Sequence, residues 1–394
     1  MAPPRLPPEL IRDVAEEILI HIPPDEPADL VRASAVCKAW LRIVSDPAFL
    51  RRYRAFRRSA PLLGFLYQVD FDPSPRFIST AEASPLPQSA PVSGASSVLD
   101  SRHGRVLFTK RGSSNFLVWD PIADGCLELQ APELWHTFYS AVVLCTVAGR
   151  DHRDCRNGPF LVVYVGKDDL GNSICAYVYS SETHAWGTPV SAHLEDDVYF
   201  SGTDRAALVG DAIYWKVVLG DRILKYDLIK HCFSMIDGTN IYYEGGQILM
   251  QNEDGSLGLA GVSNSRLHLW SRMVNPEGVT GWVQQRVIKL KKILPKNKAY
   301  IRANVIGFAE GVRVLFMSTD VGTFTFELNS GRVRKVSGPG KYCPIFPFIS
   351  FCTPEIQMTP LGLSLQEEHW SVPSLNFFFR RQLPRGSKGL PPRS

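Results

Sequence analysis

No stretch of this chain approaches 18 uncharged apolar residues, so no transmembrane helix is written in it. The N-terminal "MAPPRLPPELIRDVAEEIL" also lacks the basic start and unbroken apolar core of a secretory leader. A soluble intracellular protein, in the nucleus, the cytoplasm or both, is therefore expected. Charge imbalance is slight: +4 over 394 residues is too little to imply nucleic-acid binding by itself. Cysteine pairs at CxxC spacing are missing, and the eight cysteines are scattered, so neither a zinc site nor a disulfide framework follows from their spacing. They read as reduced, mostly buried small hydrophobes, with His152 and Cys155 in "GRDHRDCRNG" a near-pair that lacks two further nearby ligands. No metal or other cofactor is expected.

Catalytic signatures are missing as well. The chain has no GxSxG, HExxH or P-loop, and no GxGxxG in a strand-to-helix context. The adjacent acids Asp168-Asp169 and Glu195-Asp196-Asp197 fall in polar turns and read as solvated loops rather than acid–base pairs. No catalytic residues are assigned.

What is present divides into two textures. Hydrophobic content of 45% with 21% charged residues is globular, and the length suits one large domain with a small one. From Leu10 to about Phe56 the apolar residues recur at helical steps. Leu10, Ile11, Val14, Ile18, Leu19 and Ile22 line one run that "PPDEP" stops, and Leu30, Val31, Ser34, Cys37, Trp40, Leu41 and Val44 line a second that ends at Ser45-Asp46-Pro47. Phe49, Tyr53 and Phe56 share one side of a third, in "PAFLRRYRAFRR". Three short helices over residues 1–58 make a unit too thin to stand alone, so it should lean on the rest of the chain, on a partner, or on both. The basic runs "RRYRAFRR" and "KLKKILPKNK" read as solvated faces, with a nuclear localisation signal as the other reading.

After about Pro61 the chain changes to short β-branched and aromatic runs between Gly, Asp, Asn and Ser turns. Residues 73–97, rich in Pro, Ser and Ala, are expected to be an irregular connection. One pattern then returns: an apolar run, an aromatic, an acidic or hydroxyl residue, and a polar turn. It occurs at Trp119-Asp120, Tyr179-Ser180, Tyr226-Asp227, Trp270-Ser271 and Phe326-Glu327, and weakly at Phe71-Asp72, with intervals of 48, 60, 47, 44 and 56 residues. Such steps are the size of a propeller blade. Residues 59–358 therefore predict an all-β domain, a six-bladed, kelch-like β-propeller, with "CPIFPFISFCTP" closing the ring against "LLGFLYQV"; a pair of β-sandwiches is the alternative. Residues 359–394 are expected to be a largely disordered tail. The overall class is α+β multidomain.

The helical unit resembles an F-box, through Leu6-Pro7, "EEILIHIPP", "LVRASAVCKAW" and "SDPAFL" in that order. The β-region looks like the F-box-associated domain of a large plant family, particularly that of grasses. The Leu-Pro pair lies about four residues upstream of the family's place for it, so either the first helix gains a turn or Leu10-Ile11 takes that position. The resemblance implies a substrate receptor of an SCF-type ubiquitin ligase: the helices dock a Skp-type adaptor and through it a cullin, and the β-domain captures a target protein. It places the adaptor contacts among Leu6, Pro7, Leu10, Ile18, Leu19, Ile22, Pro23, Leu30, Val31, Val36, Cys37, Lys38 and Trp40, about half of which should pack the helices on one another. No target-binding residue is assigned, and neither membrane nor nucleic acid is an expected partner. The alternatives are a scaffold that binds the adaptor without delivering a target, and a propeller hydrolase with acids in its central channel.

Overall fold

The computed structural model describes residues 11–57, 59–69, 72–80, 92–132, 138–146, 155, 158–167, 173–194, 198–200, 205–218, 221–294, 303–338 and 344–352. The expected tail at 359–394, Cys343 and His152 lie outside them.

Four helices open the described chain: α1 (Arg12–Ile20), α2 (Pro27–Ser34), α3 (Lys38–Val44) and α4 (Pro47–Arg57). Proline at the start of α2 and α4 fits a position where the missing N–H has no helical partner. Asp46 caps α4 by accepting the Ala48 N–H at 2.8 Å, so the Ser-Asp-Pro that ends one helix also starts the next. The second expected helix is divided in two, giving four helices rather than three. Ser34 turns its hydroxyl back onto the Val31 carbonyl (2.7 Å), a local bond that competes with helix continuation, and Cys37 is fully extended at φ −159° and ψ 164°. The break lets Leu30 and Ala33 of α2 and Ile43 and Val44 of α3 reach one core with Leu19, Phe49 and Tyr53.

Six antiparallel sheets follow. Blade 2 has the strands Ala95–Arg102, Arg105–Lys110, Phe116–Asp120 and Gly125–Leu129, from the ring's axis outward; blades 4, 5 and 6 repeat this order within 207–237, 247–289 and 303–337. Blade 3 adds a short strand, Val190–His193, that pairs with its third strand, Ser173–Ser180. Blade 1 is composite. Its inner strand, Ile345–Ile349, comes from the far end of the domain and pairs antiparallel with Leu62–Val69, Phe65 facing Pro347. The ring is thus closed by the two strands expected to meet. The outer strand of this blade, Asp72–Ser79, corrects the expectation of an irregular 73–97. Pro73 and Pro75 fall where the ladder to the neighbouring strand is irregular, between the pairs Tyr67–Arg76 and Val69–Asp72, on an edge strand that tolerates proline.

Five aromatic markers, Trp119, Tyr179, Tyr226, Trp270 and Phe326, occupy the third strand of their blades, and Phe71 lies outside the described residues. Trp119, Tyr179, Tyr226 and Phe326 are buried there, and the residue five positions on, respectively Asp124, His184, His231 and Gly331, takes a left-handed backbone in the turn to the outer strand. The acid sets that turn: Asp120 Oδ1 accepts the N–H groups of Ile122 (2.9 Å) and Ala123 (3.1 Å), and Asp227 Oδ1 those of Ile229 and Lys230. Six of the apolar cores each join two neighbouring blades, the last joining blade 6 to blade 1 through Phe65, Phe316 and Ile345. No blade buries its faces alone, which is why the repeat closes into a ring.

The described cysteines differ from expectation. Cys145, Cys155 and Cys352 are buried, but Cys37, Cys126 and Cys232 are exposed. The last two lie on the outer strands of blades 2 and 4, which face solvent on one side. No described helix is long and apolar enough to cross a membrane.

Candidate functional site

The helical unit carries the candidate surface. On α1, Leu19 is fully buried, whereas Ile18 is 45% exposed, Val14 46% and Ile11, just before the helix, 72%. Residues 11, 14 and 18 fall on one side of a helix, so α1 shows a row of aliphatic side chains to solvent and a second row to the core. The α2–α3 break shows another exposed patch: Val36 is 66% exposed, Cys37 and Lys38 are exposed, and Trp40 is half-buried against the core. Four helices tightly packed around a small core would ordinarily hide such residues.

Two charged groups of α1, Arg12 and Glu16, are held away from that row. Arg12 donates to Glu16 and Asp46, both at 2.8 Å, and these bonds raise its guanidinium pKa. Arg52 donates to the other Glu16 oxygen at 2.6 Å. The Asp46 carboxyl is held below its ordinary range, first by the Ala48 N–H and then by Arg12. These bonds tie α1 to the α3–α4 corner and to α4. The unit in turn is fastened to the propeller. Tyr53 donates from its hydroxyl to the Ile22 carbonyl at 2.8 Å, and its ring meets Phe351 of the propeller edge-on at 6.3 Å. Burial pushes the Tyr53 phenol up to about 12. Only Arg57 to Leu62 separates α4 from the first propeller strand, and Ser59 Oγ donates across to the Gly311 carbonyl at 3.3 Å.

The expected contact residues therefore separate. Leu19, Leu30 and Val31 are interior; Ile22 and Trp40 are half-buried; Ile18, Pro23, Val36, Cys37 and Lys38 are exposed; Leu6, Pro7 and Leu10 lie outside the described residues. Cys37, expected to be a packing residue, is corrected to an exposed one because the chain is extended there. Ile11 and Val14 belong to the expected helical run but not to the expected contacts, although their seven- and four-residue steps to Ile18 carry the signal.

A second constellation sits on the propeller axis. Arg102 donates to Asp100 Oδ2 (3.3 Å), to Glu310 (3.2 and 3.3 Å) and to the Ala206 carbonyl. Arg205 donates to Asp100 Oδ1 (3.3 Å), Phe308 O (2.8 Å) and Ser101 O (3.0 Å). Asp100 also accepts the Val143 N–H at 3.1 Å, and Ser101 Oγ donates to Pro347 O at 2.9 Å. These partners belong to blades 1, 2, 3, 4 and 6, and only the channel lies within reach of all of them. Burial works to raise the Glu310 pKa, but the charges of Arg102 and Arg205 outweigh it and hold the carboxyl below its ordinary range. Two acids do converge in the channel, each paired with arginine. Among the described residues, the group of His and Cys side chains close enough to share a metal ion is His103, Cys145 and Cys155, on the propeller rather than the helices.

An F-box-like family model matches residues 4–57. The model described as F-box protein AT5G49610-like, beta-propeller matches residues 97–355. No curated protein matches the chain. Among solved structures, the β-propeller domain of Cps50 (Swd1) from Myceliophteria thermophila is 12% identical, with 63% of this chain and 88% of that one covered at a TM-score of 0.36. A nidogen/laminin complex is 10% identical, with coverage of 73% and 99% at 0.42. The extracellular domain of a one-component system from B. thetaiotaomicron is 14% identical at 0.31, with 62% of this chain and 28% of that one covered, so the chain spans under a third of its length. Scores this low leave the fold to be read from the strand order. An F-box-like region joined to a propeller is, at the level of the family, the architecture of an SCF substrate receptor, and the chain belongs to the F-box protein AT5G49610-like β-propeller family.

Proposed function

We propose that this protein is the target-binding subunit of an SCF-type ubiquitin ligase, working in the nucleus, the cytoplasm or both. In this reading the exposed aliphatic row of α1 and the α2–α3 break dock a Skp-type adaptor, and the adaptor bridges to a cullin. The propeller captures a target protein. Catalysis belongs to other subunits, and this one acts by proximity, raising the effective concentration of target lysines beside the conjugating enzyme.

The observation that carries the reading is the exposure of Ile11, Val14, Ile18 and Val36 on a helical unit whose Arg12 and Glu16 are fixed elsewhere. Each such side chain contributes about 1.5–3 kcal/mol when fully buried, enough for a stable interface from a handful of residues and a Trp anchor. The paired channel supports a non-catalytic role, because a carboxyl held ionised by two arginines is a poor general acid.

Retention of the full chain on an immobilised Skp-type adaptor tests the docking. Wild type should be retained, and the Ile18→Asp, Val36→Asp double variant should lose retention at unchanged thermal stability. Equal retention of both, or of neither, sinks the reading. A target whose level rises on proteasome inhibition only when the helices are intact distinguishes delivery from a scaffold role.

A further inference from the structure

We propose that His103, Cys145 and Cys155 form a binding site for one zinc-class divalent ion, which fastens Cys155, placed between the first two strands of blade 3 (Tyr139–Cys145 and Phe160–Lys167), to the neighbouring turn of blade 2. One ligand atom from each of the three lies within 4.8 Å of the others. A tetrahedral zinc ion with Zn–S bonds of about 2.3 Å and Zn–N bonds of about 2.0–2.1 Å separates such atoms by roughly 3.5–3.8 Å. Closing the cluster onto a metal thus needs a contraction of about 1.3 Å at most, shared between the turn at His103, the strand end at Cys145 and Cys155. Two thiolates and an imidazole are the donor set that a borderline-soft cation prefers, and two thiolates cancel its charge.

The backbone is arranged for this in advance. His103 stands at φ 52° in the two-residue turn that follows Arg102, with Gly104 at φ 76°. Its Nδ1 accepts the Cys145 N–H at 3.1 Å, which fixes the imidazole beside the end of the inner strand of blade 3. Coordination at this nitrogen would exchange that neutral hydrogen bond for a metal–nitrogen bond. Arg105 donates to the carbonyls of Cys155 (3.1 Å) and Gly158 (2.5 Å), holding Cys155 in place by its main chain and leaving the sulfur to face Cys145, with which it shares a side-chain hydrogen bond. Both thiols are buried, so a metal held there is shielded from competing ligands, and the fourth position falls to water. In the metal-free chain the hydrogen bond with Cys145 and burial push the Cys155 thiol up, and the Arg105 charge works against them. The site lies at the end of the ring where the inner strands of blades 1, 2, 3 and 6 finish, the same end that carries the helices against Phe351 and Gly311.

The test uses the full chain, purified under reducing conditions, stripped with a chelator and back-titrated with zinc or cobalt. We expect one zinc per chain by elemental analysis and, with cobalt, the thiolate charge-transfer and tetrahedral d–d bands. Cys155→Ser, Cys145→Ser and His103→Asn, which keeps a residue tolerant of positive φ, should each weaken binding at least about tenfold. Cys126→Ser, exposed on the outer strand of blade 2, should bind as wild type. Circular dichroism and thermal melts of each stripped variant establish that the ring is intact. Zinc content no higher in wild type than in the triple variant overturns the proposal, as do cobalt bands that survive Cys155→Ser, or a Cys145–Cys155 disulfide in metal-free protein.

Discussion

Two adjacent residues, Ile18 and Leu19, have the same chemistry and opposite situations. Leu19 is fully buried among Leu30, Ile43 and Phe49, whereas Ile18 is nearly half exposed. Leu19→Ala should cost about 2–5 kcal/mol in chemical denaturation, because it removes buried methyls and leaves a cavity. Ile18→Ala should change stability by under about 0.5 kcal/mol yet weaken adaptor retention. The channel gives a second residue-scale expectation. Glu310→Gln leaves Arg102 and Arg205 with one carboxylate between them, and should destabilise the fold by about 3–5 kcal/mol at neutral pH. The Glu310 pKa is depressed in the fold, so its contribution is present above the ordinary range near 4.3 and is lost as pH falls through the folded value. Melts of wild type and Glu310→Gln should therefore differ most near pH 7 and converge below about pH 4.

Among the elements, the helical unit depends on the propeller. Its core includes Phe351, four residues from the closing strand's midpoint at Pro347. Phe351→Ala should cost about 3–5 kcal/mol and, in calorimetry, split off an early transition for the helices from a later one for the ring. A single coincident transition with unchanged midpoint would show that the two units are not coupled there. In the first propeller strand, a Cβ on Gly64 would run into the Phe77 ring and the Ile78 carbonyl. Gly64→Ala should therefore destabilise blade 1 by about 1–3 kcal/mol, partly recovered by Phe77→Leu, which makes room.

For the molecule as a whole, closure is the decisive device. The strand Ile345–Ile349 comes from the end of the described chain yet forms the innermost strand of blade 1, so the apolar faces of blades 6 and 2 are both covered only when it is in place. A chain ending at residue 343 should lose cooperative unfolding and expose apolar surface that binds a hydrophobic dye, whereas one ending at residue 356 should keep both. A cooperative melt in the shorter chain would show that the ring holds without its closing strand.

Residue periodicity alone specified the helical row, the blade count and the pair of strands that meet, because these follow from local spacing: 3.6 residues per turn, alternation in strands, and an aromatic followed by a polar turn at blade-sized intervals. It also carried the Leu-Ile-Val-Trp set of the helical surface. Which members face inward was not legible, since a break at Cys37 and the arrival of Phe351 decide it, and neither leaves a local trace. The expectation of buried cysteines failed for the same reason: burial depends on whether a strand is inner or outer in its blade. The tertiary structure alone brought Asp100, Arg102, Arg205 and Glu310 onto one axis from three different blades, and set His103 and Cys145 beside Cys155 across a gap of some 50 residues. Ring closure makes neighbours of groups far apart in the chain, and spacing along the chain carries no record of that.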